Sequence, residues 1–165
     1  MKNNLNTALL DTENLISTSN SISQILVNKY GEGAHRLPIC FVAAEILVNE
    51  LTEKGFEAEH LISVSATKGQ HSLILIRNLG YGTIIDQAWK QFLPQKLRQS
   101  STAPNVLIGS AHTIVKKVQN HGVHKDDLAF WNTNNLKSFQ EIRNADLIAE
   151  RASEEAFNKR LAKNN

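Results

Sequence analysis

The fold of this 165-residue chain is organised around the stretch His71-Ser-Leu-Ile-Leu-Ile-Arg-Asn-Leu-Gly-Tyr-Gly-Thr-Ile-Ile-Asp86-Gln-Ala-Trp89. Two runs rich in apolar and β-branched residues flank a glycine-containing segment, which is the pattern of a β-hairpin with strands predicted over His71–Arg77 and Thr83–Trp89. A histidine stands where the first strand begins, and an aspartate stands near the end of the second. The stretch therefore predicts an imidazole and a carboxylate on neighbouring antiparallel strands.

The register of this hairpin decides whether the two side chains meet. A four-residue loop over 78–81 makes His71 and Asp86 diagonal neighbours on one face of the sheet. A two-residue loop over 78–79 sets them directly opposite each other, whereas a five-residue loop over 78–82 puts them on opposite faces. Two of these three registers allow contact.

The single cysteine, Cys40, opens an apolar run that ends before Gly55. Pro38 suits the first turn of a helix, and the glycine supplies its stop, so we expect a helix over 39–54. The spacing of the apolar residues gives this helix one buried face, formed by Cys40, Ala43, Ala44, Leu47 and Leu51.

Cys40 falls in the first turn of this helix, where unpaired backbone N–H groups and the positive end of the helix dipole favour an anion. A thiolate is favoured at such a position. The alternative is that Cys40 is a small hydrophobic residue that packs in the core.

The remaining chain predicts more of both element types. Alternation over 61–66 indicates a third strand, so three consecutive strands form a small antiparallel sheet behind the helix. A short strand over 106–109, a helix over 110–119 and one long or two short amphipathic helices over 136–163 complete the chain. The predicted fold class is α+β, in a single domain over residues 1–165.

The N-terminus is dominated by Asn, Ser and Thr over residues 1–23. Such side chains bond to the local backbone in place of regular structure, so we expect a mobile leader over 1–20 and a short helix over 21–30. This is also the composition of bacterial secretion signals that are not cleaved. The chain has no apolar run of about 18 residues and no uninterrupted signal-peptide core, so we expect it to work in a cytosol.

The charge balance points to no polyanionic partner. With a formal net charge of +2 and 21% charged residues, the chain gives no support for nucleic-acid binding. We expect its basic clusters to be solvated faces; these are Lys90, Lys96 and Arg98, and the pair Lys116 and Lys117.

No metal or other cofactor is predicted. One segment combines two histidines with two aspartates, but it lacks a helical i,i+4 pair or a supporting cysteine. These residues are His121, His124, Asp126 and Asp127. Gly80-Tyr-Gly82 is turn chemistry and not a phosphate-binding loop. One cysteine also excludes an internal disulfide.

Cys40, His71 and Asp86 together suit thiol-based acyl transfer. A thiolate attacks a carbonyl carbon, a histidine exchanges protons with the thiol and the leaving amine, and a carboxylate orients the imidazole. The backbone N–H of Cys40 is a candidate oxyanion donor. Among the other histidines, His35 precedes the helix and is a candidate for substrate binding, whereas no carboxylate is placed for His60 or His112.

The order Cys, His, Asp resembles papain-like and transglutaminase-like cysteine enzymes. The resemblance rests on Pro-Ile-Cys40-Phe-Val-Ala-Ala-Glu-Ile-Leu at a helix start and on the hairpin from His71. The fifteen-residue step from histidine to aspartate, followed by Trp89 and Phe92, is similar to papain-fold bacterial toxins and effector glutamine deamidases. It covers residues 37–93.

The resemblance implies a papain-like core in which a nucleophile-bearing helix packs on a small antiparallel sheet, with helices after it. It makes Cys40 the nucleophile, His71 the general base and acid, and Asp86 the orienting carboxylate. The implied activity is deamidation of a glutamine on a protein through a thioester, by a bacterial effector or toxin secreted into the cytoplasm of a host or target cell. The bacterial cytoplasm is the alternative location.

The chain also departs from papain-type peptidases, which place a glutamine shortly before the cysteine and a tryptophan after it. Here Gly33-Ala-His-Arg-Leu-Pro-Ile precedes Cys40, and Phe41 follows it. This disfavours ordinary peptidase activity more than deamidation. A peptidase or a transglutaminase remains an alternative, as does a non-catalytic adaptor or chaperone whose C-terminal helices form the interface. The expected partner is a protein, with no nucleic acid or membrane; the oligomeric state is unknown.

Overall fold

The structure, a computed structural model, describes residues 2–30, 39–65, 69–79, 82–98 and 102–163. The fold is α+β. Its helices are α1 (Lys2–Tyr30), α2 (Ile39–Glu53), α3 (Gln95–Arg98), α4 (Ala111–Asn120) and α5 (Phe139–Lys163). Its strands are β1 (Ala58–Ser65), β2 (Gly69–Ile76), β3 (Thr83–Asp86), β4 (Leu107–Gly109) and β5 (Leu136–Ser138). The predicted loop 31–38, with His35, and residues 66–68 and 80–81 of the predicted turns lie outside the described residues.

The strands form one antiparallel sheet in the order β4-β3-β2-β1-β5. The three predicted consecutive strands are its centre, and the predicted short strand near residue 107 is one edge. The other edge, β5, was not predicted, because three residues are too few to show an alternation of apolar and polar side chains. β1 begins at Ala58, earlier than predicted, because it pairs with β2 from Ala58↔Ile76 to Ser65↔Gly69.

The register between β2 and β3 decides where the hairpin side chains point. Ile74 lies opposite Ile85, and Ile76 lies opposite Thr83. This is the register of a four-residue loop, and carried further along the strands it sets Asp86 diagonally across from His71. Because side chains alternate along a strand, both lie on the same face of the sheet.

The two faces of the sheet carry separate apolar clusters. Ile74, Ile76 and Ile85 pack with residues of α1 and α2 on one face. Leu73 and Ile84 pack on the other face with residues of α4 and of the 3-10 turn Lys125–Trp131. The buried residues of α2 are Cys40, Ala43, Ala44, Leu47 and Leu51, which confirms the predicted face of this helix.

The helix α1 replaces the predicted mobile leader. It runs without interruption from Lys2, and Leu15, Ile22 and Leu26 are buried against the α2 side of the core. These residues are seven and four positions apart, so they share one helix face. Asn, Ser and Thr have modest helix propensity, but burial of this face against a neighbouring helix overrides that preference.

The strand β3 ends earlier than predicted, at Asp86 instead of Trp89. The Asp86 carboxylate accepts a hydrogen bond from the backbone N–H of Ala88, and the chain then enters a 3-10 turn over Trp89–Phe92. An aspartate that bonds the backbone two residues later favours a turn over a continued strand.

The expectation that Lys90 is solvated is wrong. Lys90 is buried in this 3-10 turn, and its Nζ donates to Asn105 Oδ1 at 2.8 Å. Burial lowers the pKa of Lys90. Lys96, which belonged to the same predicted basic cluster, is exposed. Sequence alone missed this because the accepting amide lies fifteen residues away, beyond a connector.

The C-terminal region forms one long helix, α5, after β5. Two of its large apolar residues, Leu147 and Ile148, are exposed. Among the described residues, no helix combines the length and the apolar character needed to cross a membrane.

The packing of α1 predicts that truncation of two adjacent residues of equal size, Leu15 and Ile16, lowers the free energy of unfolding by different amounts. Leu15→Ala should lower the free energy of unfolding by about 2–5 kcal/mol, because Leu15 is fully buried and its truncation leaves a cavity. Ile16→Ala is the matched control; its side chain is 42% exposed, and the expected change is below about 1 kcal/mol. Urea denaturation measures both. Equally small effects would show that residues near 15 do not pack on α2.

Candidate active site

Asp86 is a fully buried carboxylate at the end of β3. Its Oδ2 lies 2.8 Å from His71 Nε2 and accepts a hydrogen bond of 2.8 Å from the indole Nε1 of Trp131. Its Oδ1 accepts from the backbone N–H of Ala88 at 3.0 Å. A buried carboxylate is tolerated only when such donors replace its water shell. These contacts therefore fix the position of Asp86 from three separate parts of the chain.

The imidazole of His71 is also fully buried. The rings of Phe92, Phe130 and Trp131 surround it, and the ring of Phe92 stands almost perpendicular to it with centroids 4.8 Å apart. Edge contacts of this kind hold the plane of a ring. The apolar wall and the Asp86 contact together set the orientation of both ring nitrogens.

The charge of His71 follows from this environment. Burial lowers the pKa of His71, but the charge and hydrogen bond of Asp86, together with the hydrogen bond and charge of Cys40, raise it to about 9. The imidazole is therefore protonated at neutral pH. A buried imidazolium is stable here because Asp86 supplies a directly bonded opposite charge.

Cys40 lies in the first turn of α2 and is buried. The body of this helix packs on the sheet face that carries Ile74, whereas His71 lies on the opposite face. Only the first turn of α2 can therefore approach His71, at the end of the sheet. The Cys40 thiol contributes, after Asp86, to the raised pKa of His71, which places it in the neighbourhood of the imidazole. The structure thus joins His71 and Asp86 directly and places Cys40 in the neighbourhood of the His71 ring.

Two neighbours of this group were missed by sequence reasoning. Gln91 places its side-chain Nε2 2.7 Å from His71 Nδ1, and Trp131 donates to Asp86 across 45 residues of sequence. Gln91 was not considered because the strand was expected to run on to Trp89. A weak signal existed for Trp131, since a buried tryptophan requires an acceptor for its N–H, but nothing in the sequence identified which acceptor.

A further polar side chain, Gln87, follows Asp86 and is buried. Its amide nitrogen and oxygen have no hydrogen-bond partner among the residues that the structure describes. Buried amides without partners are uncommon in proteins and require water or a ligand to satisfy them. Two side-chain amides, those of Gln87 and Gln91, therefore follow Asp86 closely in the sequence.

His60 does not belong to this group. Its Nε2 lies 2.9 Å from Ser72 Oγ, and its ring packs against those of Phe41 and Phe139. Burial lowers the pKa of His60 more than the charge of Glu45 raises it. His60 is therefore neutral at physiological pH, and its role in the structure is packing and hydrogen bonding.

His112 lines a separate cavity of about 730 Å³ on the sheet face that carries Leu61 and Leu75. The rim of this cavity is charged, with Arg77 paired to Glu59. None of Cys40, His71 and Asp86 lines it.

Within the described part of the chain, no group of three or more His, Cys, Asp or Glu side chains has a geometry that could hold a metal ion. In the segment that combines histidines and aspartates, His124 Nδ1 lies 3.4 Å from Asp126 Oδ2, and both side chains are more than half exposed. His124 also accepts a hydrogen bond from the Asp126 backbone N–H, as the N-cap of the 3-10 turn Lys125–Trp131. This contact explains the local pattern as capping.

The raised pKa of His71 predicts how stability depends on pH. Because the folded pKa of about 9 exceeds the ordinary value of 6.5, the folded state binds the proton more tightly. This stabilisation is complete below pH 6.5 and is lost as the pH rises through 9. Its loss should be on the order of 3 kcal/mol in the free energy of unfolding.

His71→Gln is the control for this prediction, because it removes the titrating group and keeps a hydrogen-bonding side chain. Urea denaturation between pH 6 and 10 should show the decrease in the unmodified protein and a flatter profile in the variant. Parallel profiles would show that His71 does not bind its proton more tightly in the folded state.

The indole contact of Asp86 predicts a difference between two buried tryptophans. Trp131→Phe removes a donor to a charged group and should lower the free energy of unfolding by about 1.5–3 kcal/mol through that bond. Trp89→Phe removes the same ring volume, but its Nε1 donates to the neutral carbonyl of Pro104, so the expected loss is about 0.5–1.5 kcal/mol. Calorimetric unfolding compares the two; a larger loss at Trp89 would contradict the assignment.

Comparison of the chain with protein-family models, with curated proteins and with solved structures finds no match. The resemblance to papain-like enzymes rests on the order of Cys40, His71 and Asp86 and on the elements that carry them.

Proposed function

We propose that this protein is a cysteine-dependent acyl-transfer hydrolase that deamidates a glutamine side chain of a protein substrate. The observation that carries this proposal is the buried His71–Asp86 pair beside the thiol of Cys40. A thiol near an imidazole that is bonded to an orienting carboxylate supplies the groups that nucleophilic catalysis on a carbonyl requires.

In the proposed reaction, the Cys40 thiolate attacks the carboxamide carbon of a substrate glutamine. His71 then donates a proton to the leaving nitrogen, which departs as ammonia and leaves a thioester on Cys40. Water attacks this thioester with His71 as the base. The products are a glutamate side chain and the regenerated thiol. The backbone N–H of Cys40 is a donor for the oxyanion.

Closure of the site favours a side-chain substrate over a main-chain substrate. Cys40, His71 and Asp86 are all at most 1% exposed. A single protruding glutamine needs a narrower opening than an extended segment of backbone. The absence of the glutamine and the tryptophan that papain-type peptidases place around their cysteine points the same way. A peptidase or a transglutaminase of the same chemistry is the alternative within this class.

We further propose that the protein acts as a secreted bacterial effector or toxin on a protein in the cytoplasm of a host or target cell. This part rests on the similarity of the hairpin and Cys40 segments to papain-fold toxins. Action in the bacterial cytoplasm is the alternative. The net charge of only +2 gives no specific support for a nucleic acid, and we expect the partner to be a protein.

A second candidate function is protein binding without catalysis. The observation that favours it is the exposure of Leu147 and Ile148, which are 45% and 68% exposed on α5. Adjacent exposed apolar residues on a helix suit a contact with another protein. In this function Cys40 serves only as a buried apolar residue.

Intact-mass analysis of candidate protein substrates tests the proposal. Incubation with the unmodified protein should convert one amide to an acid on a substrate, with the corresponding small gain in mass, and Cys40→Ala should abolish that gain. Fragments would indicate a peptidase, and covalently linked products would indicate a transglutaminase. No change in any substrate would favour the binding function.

Two buried histidines on adjacent strands provide the matched control. His71→Gln should reduce the rate of deamidation by at least about 10³-fold, because it removes the proton carrier. His60→Gln should leave the rate within about tenfold of the unmodified protein, because His60 bonds Ser72 on the other face of the sheet. Equal losses in both variants would assign the effect to general damage to the fold.

A further inference from the structure

We propose that the carboxamide of Gln91 occupies, in the resting protein, the subsite that the primary carboxamide of the substrate fills during the reaction. The Gln91 side chain then occupies the place of the substrate amide, and the ligands that this subsite binds are glutamine-type carboxamides. This inference rests on the proposed function and specifies the substrate group that the site accepts.

The first support is the position of the Gln91 amide on the ring of His71. Asp86 occupies Nε2, so Nδ1 is the nitrogen available to exchange a proton with a thiol or a substrate. The Gln91 nitrogen lies 2.7 Å from this Nδ1. In deamidation the leaving nitrogen must lie within hydrogen-bond distance of the same atom. The carboxamide of Gln91 already stands there, with its nitrogen toward Nδ1 as suits a neutral ring; a protonated ring requires the amide oxygen at that place instead.

The second support is the chemistry of the group. A neutral imidazole with its proton on Nε2 accepts an N–H at Nδ1, whereas an imidazolium donates from Nδ1 and needs an acceptor. A carboxamide offers both a donor and an acceptor, and a half-turn of the amide exchanges them. Gln91 can therefore satisfy His71 in both protonation states. A substrate carboxamide meets the same two states, because in the proposed reaction His71 is protonated before it donates to the leaving nitrogen and neutral afterwards.

The third support is where Gln91 lies relative to solvent. His71 and Cys40 are buried, whereas Gln91 is only partly buried. Gln91 belongs to the short 3-10 turn Trp89–Phe92, outside the strands. A change of its side-chain rotamer can expose Nδ1 without moving the sheet. Gln91 is thus the more exposed of the two side chains that bond the His71 ring, and we propose that an entering side chain replaces it there.

Alkylation of Cys40, the single thiol, tests this inference without any protein substrate. Labelling of the folded protein with iodoacetamide at neutral pH, followed by intact mass, gives the rate. Gln91→Ala empties the subsite and should raise this rate by about tenfold or more, because the open state no longer competes with the internal amide. Gln91→Glu should lower the rate, since a carboxylate pairs with the imidazolium and holds the site closed.

Competition identifies the ligand class. In Gln91→Ala, N-acetylglutamine should slow the labelling of Cys40 severalfold more than N-acetylglutamate at the same concentration. Gln95→Ala is the matched control, because Gln95 is exposed on α3 and should leave the rate unchanged. Circular dichroism verifies that each variant is folded, and Gln91→Glu provides the test if Gln91→Ala does not fold.

Each outcome separates this inference from the proposed function. Labelling of Gln91→Ala at the unmodified rate overturns the inference, even if a protein substrate is deamidated. Faster labelling without protection by N-acetylglutamine also overturns it. Gln91 would then only block access to Cys40, and the space that it fills would not be a binding site for a carboxamide. Faster labelling with selective protection supports the carboxamide subsite, and failure to find a deamidated protein would then count against the proposed function alone.

Discussion

The constraint on which the site depends is the burial of the His71–Asp86 pair. Two groups that carry opposite charges are fully removed from water, and such a pair is stable only if further donors complete the shell of the carboxylate. Those donors come from Ala88, two residues beyond Asp86, and from Trp131, in the 3-10 turn after α4. The carboxylate therefore ties together the end of β3, the turn that follows it and the segment that covers the sheet. The hydrogen bond from the backbone N–H of Ala88 to Asp86 also ends β3, and the 3-10 turn that contains Gln91 follows it.

The register of the sheet makes that burial possible. A slip of one residue between β2 and β3 would move His71 to the face that packs on α1 and α2, away from Asp86 and Trp131. The apolar pattern prevents the slip, because Ile74, Ile76 and Ile85 would then exchange faces with Leu73 and Ile84. The packing of apolar side chains on both faces of the sheet thus fixes the contact between His71 and Asp86, although this contact involves only two residues of the hairpin.

The sequence predicted those parts of the structure that depend on the pattern of apolar residues in one short segment. The buried face of α2 and the hairpin from His71 follow from local periodicity, and the contact between His71 and Asp86 needed only a choice among three registers. Contacts between distant segments could not be predicted: Trp131 reaches Asp86 across 45 residues, and Lys90 reaches Asn105 across a connector. The long helix α1 was missed for another reason. Its Ser and Thr residues disfavour regular structure locally, and only packing of Leu15, Ile22 and Leu26 on the core reverses that preference.

The protonation state of His71 connects the structure to the proposed chemistry. With a pKa raised to about 9 by Asp86 and Cys40 against the effect of burial, the ring carries its proton at neutral pH. In the proposed reaction the histidine therefore starts as an acid that protonates the leaving nitrogen. An imidazolium must also have an acceptor at Nδ1 before the substrate arrives. A side chain that is only a hydrogen-bond donor, or only an acceptor, would satisfy one protonation state of His71. The carboxamide of Gln91 has both a donor and an acceptor and can satisfy the two states, so an amide suits this position.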